Sequence, residues 1–338
     1  MITTGINRAA RSTSAIGIVG TGSYLPAHVV TNAEVGEPAG VTDEWIFGKT
    51  GIRNRRRAKP DEATSDLAVI AGRAALESAG ISAADVSLII VATSTPDSPQ
   101  PATAAIVADE IGARPGTAAF DVNAVCSGFL FALTTAEGIL RAADGDYALV
   151  IGADIYSRIL DPADRRTAIL FGDGAGAVVL GRSGGGELLA GRLAGYGADR
   201  DLIRVPAGGS RIPPSMETVR AGLHYFAMNG RGVRDFVADT VTAGIRTFLV
   251  DAGVSAADLA HFVPHQANGR MLEDLAGQLE IPFERTRTTF EELGNTGAAS
   301  VPITLDHAAR AGAMGTGDLV LLAAFGGGMA MGLTLLRW

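Results

Sequence analysis

The sequence predicts an α/β protein made of two similar halves layered α-β-α-β-α, and three observations lead there. Short, nearly continuous apolar runs alternate with helical patterns. One segment recurs in the second half, and both halves finish with a glycine-rich turn and a strand. Apolar strands separated by helices imply sheets covered on both faces. Stacking two such halves puts a site where they meet.

The recurrence is specific. Residues 79–86 read AGISAADV and residues 252–259 read AGVSAADL, identical at six of eight positions and offset by 173. Each copy follows a helical pattern, over Ser65–Ser78 and Arg234–Asp251, with Gly80 or Gly253 as the helix stop. Each precedes a β-type run, VSLIIVAT or LAHFVPH. GDYALVIGA (145–153) echoes GDLVLLAAF (317–325) at an offset of 172, and FGDGAGAVVL is answered by FGGGMAMGLTL. Offsets this close point to a duplication. The expected organisation is a flexible tail over 1–14, a first half over 15–182 carrying the nucleophile, and a second half over 183–338. The segment Gly184–Pro214, rich in Gly, Arg and Pro, reads as irregular structure after the junction.

Bulk properties narrow the function. Of 338 residues, 47% are hydrophobic and 19% charged, so much surface is expected to be buried, part of it against a second subunit. No uninterrupted apolar stretch reaches the roughly 20 residues of a membrane helix, and the first residues lack a signal-peptide core. A single cysteine excludes a disulfide framework and a metal cluster and points to the cytoplasm. The net charge of −8 argues against nucleic acid as a partner. Arg53, Arg55, Arg56 and Arg57 form a basic run, either a patch for an acidic partner or a solvated loop. Alternate glycines in GIVGTGSYLP and FGDGAGA do not complete G-x-G-x-x-G at the opening of a helix, which disfavours dinucleotide binding.

The lone cysteine, Cys126, stands between a β-type run ending near Val122 and a helical pattern carrying Phe129, Leu130 and Leu133. A thiol at a helix N-terminus faces unpaired N–H groups, which favour thiolate, and Gly128 leaves room beside it. Such a thiolate can accept an acyl group from a thioester. His265, in VPHQANGR, follows the second repeat's strand, and Asn295, in ELGNTGAASVP, leads into a helix that the duplication pairs with the one at Cys126. Taken singly, each has an ordinary use: core thiol, satisfied histidine, helix cap. Taken together, they suit decarboxylative carbon–carbon bond formation. Two neutral donors can hold an enolate oxygen without protonating the carbon that must attack.

These motifs, with GTGSYLP, DEWIFGKTGIRNRR, AVCSGF, FGDGAGA, PHQAN, GNTGAAS and FGGGM, resemble the β-ketoacyl-acyl carrier protein synthase III family of the thiolase superfamily, from about Ala15 to Trp338. The resemblance implies a thiolase-like fold, with Cys126 as acyl acceptor and His265 and Asn295 as the decarboxylation pair. It implies an oxyanion hole from the backbone N–H groups of Cys126 and Gly327, and Phe325 near the site mouth. It places coenzyme A against Trp45, Lys49, Arg165, Arg234 and Asn268, and an acidic carrier protein against Arg270. Coenzyme A or carrier thioesters are substrates, no cofactor or metal is implied, and a homodimer is expected.

Three positions depart from the family pattern: Lys49 replaces a frequent arginine, Arg234 an aromatic residue, and Gln100 an apolar residue by which a partner subunit closes the acyl pocket. They suggest a non-standard acyl starter, polar or carrier-delivered. The leading expectation is condensation of an acyl group on Cys126 with malonyl-acyl carrier protein, priming fatty acid or polyketide synthesis. The alternatives are transfer of that acyl group to a small-molecule alcohol or amine, and a non-catalytic partner subunit of a condensing heterodimer.

Overall fold

The computed structural model describes residues 15–142, 145–182 and 185–338; the expected tail, residues 1–14, lies outside the described residues. The principal strands are β1 (Gly17–Tyr24), β2 (Val86–Ala92), β3 (Ala118–Val122), β4 (Tyr147–Ile155), β5 (Asp173–Gly181), β6 (Gly186–Gly195), β7 (His261–Pro264), β8 (Leu319–Gly326) and β9 (Ala330–Arg337). The principal helices are α1 (Asp43–Thr50), α2 (Thr64–Ala79), α3 (Thr103–Glu110), α4 (Gly128–Ala142), α5 (Thr242–Asp251), α6 (Gly269–Gln278) and α7 (Ser300–Arg310).

The repeated sequence takes one local conformation twice. Gly80 and Gly253 end their helices in the left-handed region, at φ +67 and +69. Each is followed by a short 3-10 turn, Ala83–Asp85 or Ala256–Asp258, and then by β2 or β7. Strand order repeats as well. The first half runs β1-β5-β4-β2-β3, and the second runs β6-β9-β8-β7 with a parallel bridge from Phe262 to Thr286 beyond it. In both, a parallel pair (β2/β4; β7/β8) adjoins antiparallel pairs. The two sets join into one ladder where Gly17 meets Glu187 and Ile18 meets Gly186. A Cβ on Gly17 would lie 2.6 Å from the Gly186 carbonyl oxygen, so the seam needs glycine there.

Alternation along each strand builds the layers, because successive side chains point to opposite faces. Leu88, Ile90, Val320 and Leu322 face a central core with Phe129, Leu130 and Leu133 of α4 and Val301 and Leu305 of α7. Ile89 and Val91 face outward onto α2 and α3, and Leu321, Leu333 and Leu335 onto α5 and α6. The result is the five-layer α/β architecture, with α4 and α7 sandwiched in the middle. The helical stretch Val125–Ala142 is long and apolar enough to cross a membrane by composition, and this sandwich accounts for that.

Two expectations need correction. Within Gly184–Pro214, residues 186–195 form β6, paired along its length with β9. Its glycines and arginine mask an alternation that becomes apolar only against that neighbour. The basic run is not one solvated loop: Asn54–Arg57 form a short strand, and Arg55 is fully buried, donating to Asn32 Oδ1 and the Ile169 carbonyl, while Arg53 stays exposed and pairs with Glu291. Burial pushes the Arg55 guanidinium down to about 10.

Candidate active site

The nucleophile turn is local in origin. Strand β3 ends at Val122, and a 3-10 turn over Val125–Ser127 leads into α4. Val125 has φ +48, an outlier for a β-branched residue. Ser127 anchors the turn by donating to the Ala330 carbonyl at 3.0 Å. Cys126 is left 4% exposed on a cavity of about 170 Å³. Burial, reinforced by the charge of Asp154, pushes its thiol up to about 12. The thiolate expected from the helix N-terminus alone is therefore opposed in the resting protein.

The same cavity is lined by His265, Asn295, Asn268 and Phe325. His265 leaves the end of β7 with its backbone N–H on the Ala323 carbonyl at 2.7 Å. Its Nδ1 lies 2.6 Å from the Ser300 hydroxyl, which occupies that nitrogen and leaves Nε2 for the cavity. Burial holds the imidazole down to about 3, so it is neutral at physiological pH. Phe325 packs edge-on against it at 5.5 Å, forming a buried wall. Asn295 is pinned by backbone bonds to Leu170 and Gly172, and its Oδ1 accepts from Gly297 N–H at 2.9 Å. Its amide Nδ2 remains for a ligand. Asn268 also caps α6, accepting from Met271 N–H. The pocket thus combines a buried thiol with two neutral donor-capable side chains.

Other expected residues fall around this centre. Gly326 is the glycine against the thiol, where a Cβ would meet Cys126 Cβ at 2.6 Å; Gly327 packs on Val125. Trp45 on α1 carries the Arg165 guanidinium 5.8 Å from its ring centroid, and Lys49 is exposed on the same helix. Arg270 donates to the Gly48 carbonyl and pairs with Glu273. Arg234 lines a separate recess with Asp235 and Asp274. Gln100 is exposed and does not line the cavity. Among the described residues, no group of three or more His, Cys, Asp or Glu side chains is placed to hold a metal ion.

Sequence reasoning missed the remaining walls: Leu170, Phe171, Phe226, Met228 and Val233. Phe171 and Phe226 pack with Tyr156, stacked at 4.5 Å and edge-on at 5.7 Å respectively. They come from three separate segments, and the nearest signals were FGDGAGA, which begins at Phe171, and Arg234, which follows Val233.

Known proteins are similar to this chain over most of its length. Residues 120–197 match the family described as 3-oxoacyl-[acyl-carrier-protein (ACP)] synthase III, and residues 249–338 match its C-terminal family. The acetoacetyl CoA synthase NphT7 of Streptomyces sp. (strain CL190) is 59% identical, covering 95% of this chain and 98% of that protein. The β-ketoacyl-[acyl-carrier-protein] synthase III of Syntrophomonas wolfei is 44% identical, over 95% and 97%. The crystal structure of 3-oxoacyl-(acyl carrier protein) synthase III from Pseudomonas aeruginosa PAO1 superposes with a TM-score of 0.87 at 40% identity, covering 96% of this chain and 98% of that one. The fold is thiolase-like, and the chain belongs to the β-ketoacyl-acyl carrier protein synthase III family of acyl-transferring condensing enzymes.

Proposed function

We propose that the protein joins a short acyl group, held as a thioester on Cys126, to a malonyl thioester, releasing carbon dioxide and a β-ketoacyl thioester. The Cys126 thiolate attacks the donor's carbonyl carbon and expels the donor thiolate. Malonyl decarboxylation then leaves an enolate, whose oxygen takes hydrogen bonds from His265 Nε2–H and Asn295 Nδ2–H. Its carbon attacks the acyl-Cys126 carbonyl and expels the Cys126 thiolate. The observation that carries this reading is the shared cavity, in which the thiol faces two neutral donors and His265 is held uncharged. A charged imidazolium would protonate the enolate it is meant to stabilise. The aromatic walls and the cavity of about 170 Å³ favour a small acyl group.

Coenzyme A is the favoured carrier for the malonyl group. Arg270 is paired with Glu273, and Asp235 and Asp274 flank Arg234, an arrangement poorly matched to an acidic carrier protein. The relative named acetoacetyl CoA synthase supports the same choice. The second reading keeps malonyl-acyl carrier protein as acceptor and is supported by the synthase III relatives. Trp45 and Arg165 are the proposed seat of the coenzyme A adenine. The backbone N–H groups of Cys126 and Gly327 are the proposed oxyanion hole.

A homodimer is proposed through β3, which ends the sheet with its face only partly covered. Gln100 of one subunit would then reach the other's acyl pocket. A monomeric sedimentation profile would remove that part of the reading. For the chemistry, the enzyme is mixed with acetyl-CoA and either malonyl-CoA or malonyl-carrier protein, and intact masses are read. Acylated Cys126 with a β-ketoacyl product on one acceptor supports the reading and names the carrier. Acylated Cys126 with neither product overturns it in favour of transfer to another acceptor.

A further inference from the structure

Beside Cys126 a line of buried hydroxyls ends on a carboxylate that the condensation chemistry leaves unused. The Tyr156 ring stacks at 4.5 Å on Phe171, which lines the Cys126 cavity, and its hydroxyl is close enough to bear on the ionisation of Cys126. That hydroxyl lies 2.9 Å from Ser94 Oγ, which in turn donates to Asp154 Oδ1 at 3.1 Å. Asp154 is fully buried, and Tyr156 is 1% exposed. The carboxylate also accepts from the Thr93 and Thr95 hydroxyls and from the N–H groups of Ser94 and Ala298. No cation is among these partners. A buried carboxylate held by neutral donors alone is costly, and such groups cluster where proton chemistry is done.

We infer that Tyr156, Ser94 and Asp154 form a relay that carries the Cys126 thiol proton inward to the Asp154 carboxylate as the thioester is attacked. The inference rests on Cys126 being the nucleophile, as proposed above. At rest, S–H points to the Tyr156 oxygen, Tyr156 O–H to Ser94 Oγ, and Ser94 O–H to Asp154 Oδ1. Each proton then moves one place. Cys126 becomes a thiolate accepting from Tyr156, Ser94 donates to Tyr156, and protonated Asp154 donates to Ser94. The donor thiolate leaves as such. When condensation expels the Cys126 thiolate, the protons run back and restore the thiol. Nothing is oxidised, and the relay ends each cycle as it began.

Charge decides between this route and loss of the proton to water. Direct loss leaves two neighbouring buried anions, on Cys126 and Asp154; the relay keeps one. The titratable groups facing the thiol are Tyr156, Asp154 and, across the cavity, His265. Burial raises Asp154 to about 6 and lowers His265 to about 3, so Asp154 is the better proton acceptor of the two. Below about pH 6 Asp154 is already protonated and the relay is blocked.

The test uses Cys126 as its own reporter, since it is the only cysteine in the chain. Rates of iodoacetamide alkylation and of acylation by acetyl-CoA are followed by intact mass between pH 5 and 8. Tyr156→Phe removes one hydroxyl and keeps the ring packing; Ser94→Ala cuts the line one step further in. Each should slow both reactions by about 10²-fold at pH 7. Each should also abolish the fall in rate below about pH 6, and the double variant should be no slower than either single one. Wild-type rates and pH profiles in either variant would overturn the relay, as would loss of the pH profile only in His265→Ala. Should Tyr156→Phe fail to fold, Ser94→Ala decides alone. Failure of the unaltered enzyme to acylate Cys126 would instead sink the nucleophile assignment.

Discussion

The two turns that open the buried helices share a left-handed first residue but fill it with different residue types. Val125 and Gly297 each begin a 3-10 turn with positive φ, +48 and +60, and the turns run into α4 and α7. Glycine takes that conformation freely, whereas a β-branched residue there stores about 1–3 kcal/mol of strain. At Gly297 no larger residue fits: a Cβ would lie 2.3 Å from both Asp154 Oδ2 and Tyr156 Cε2. The turn that presents Cys126 is therefore strained, while the turn opposite is relaxed and tightly braced. Its Ala298 N–H holds Asp154, and its Asn295 holds the amide toward the cavity. Equivalent places in the two halves thus hold the proposed acyl carrier and the frame that faces it.

The difference between the turns should be absolute for acylation. Cys126→Ala is expected to abolish mass gain from acetyl-CoA, because no other thiol exists. A residual acyl adduct would mean that the frame, too, carries a nucleophile. Next in size, Asn295→Ala should leave acylation intact and slow condensation by about 10²–10³-fold, the usual worth of one oxyanion donor. Equal loss in both half-reactions would erase the division of labour between the turns.

Gly297→Ala should lower stability by about 3 kcal/mol in urea denaturation, through overpacking added to backbone strain. Val125→Gly, which relieves strain, should cost far less. Similar losses in both would show that the turns are not differently strained. A last effect is on pH dependence. His265 titrates at about 3 in the fold against 6.5 when unfolded. Between those values only the unfolded chain takes the proton, so stability is lost as pH falls from 6.5 toward 3. Asp154, raised from 3.8 to about 6, acts with the opposite sign between its two values. His265→Gln should therefore flatten the acid limb of the urea midpoint below pH 6.5. An unchanged limb would contradict a buried neutral imidazole.

Much of this was legible one residue at a time. Cys126, His265 and Asn295 stand in short motifs whose neighbours, a small residue here and a proline there, set the local turn. The repeat was legible because helix stop, 3-10 turn and strand are all local events. Strand β6 was not, because its pairing with β9 is what makes Gly and Arg acceptable in a strand. Arg55 looked like surface because its partners, Asn32 and the Ile169 carbonyl, are distant in sequence.

By itself the sequence determined the layered α/β class, the repeated element order and the identity of the thiol, imidazole and amide. Those depend on periodicity, turn chemistry and residue type, all short-range properties. Tertiary structure decided how these groups behave. The Cys126 thiol is raised because burial removes water and Asp154 adds charge. The imidazole is neutral because burial penalises its charged form. The hydroxyl line from Tyr156 to Asp154 exists only because Thr93–Thr95, Asp154, Tyr156 and the Gly297–Ala299 turn are folded onto one another. Desolvation and charge proximity are sums over neighbours in space, and a chain acquires those neighbours only by folding.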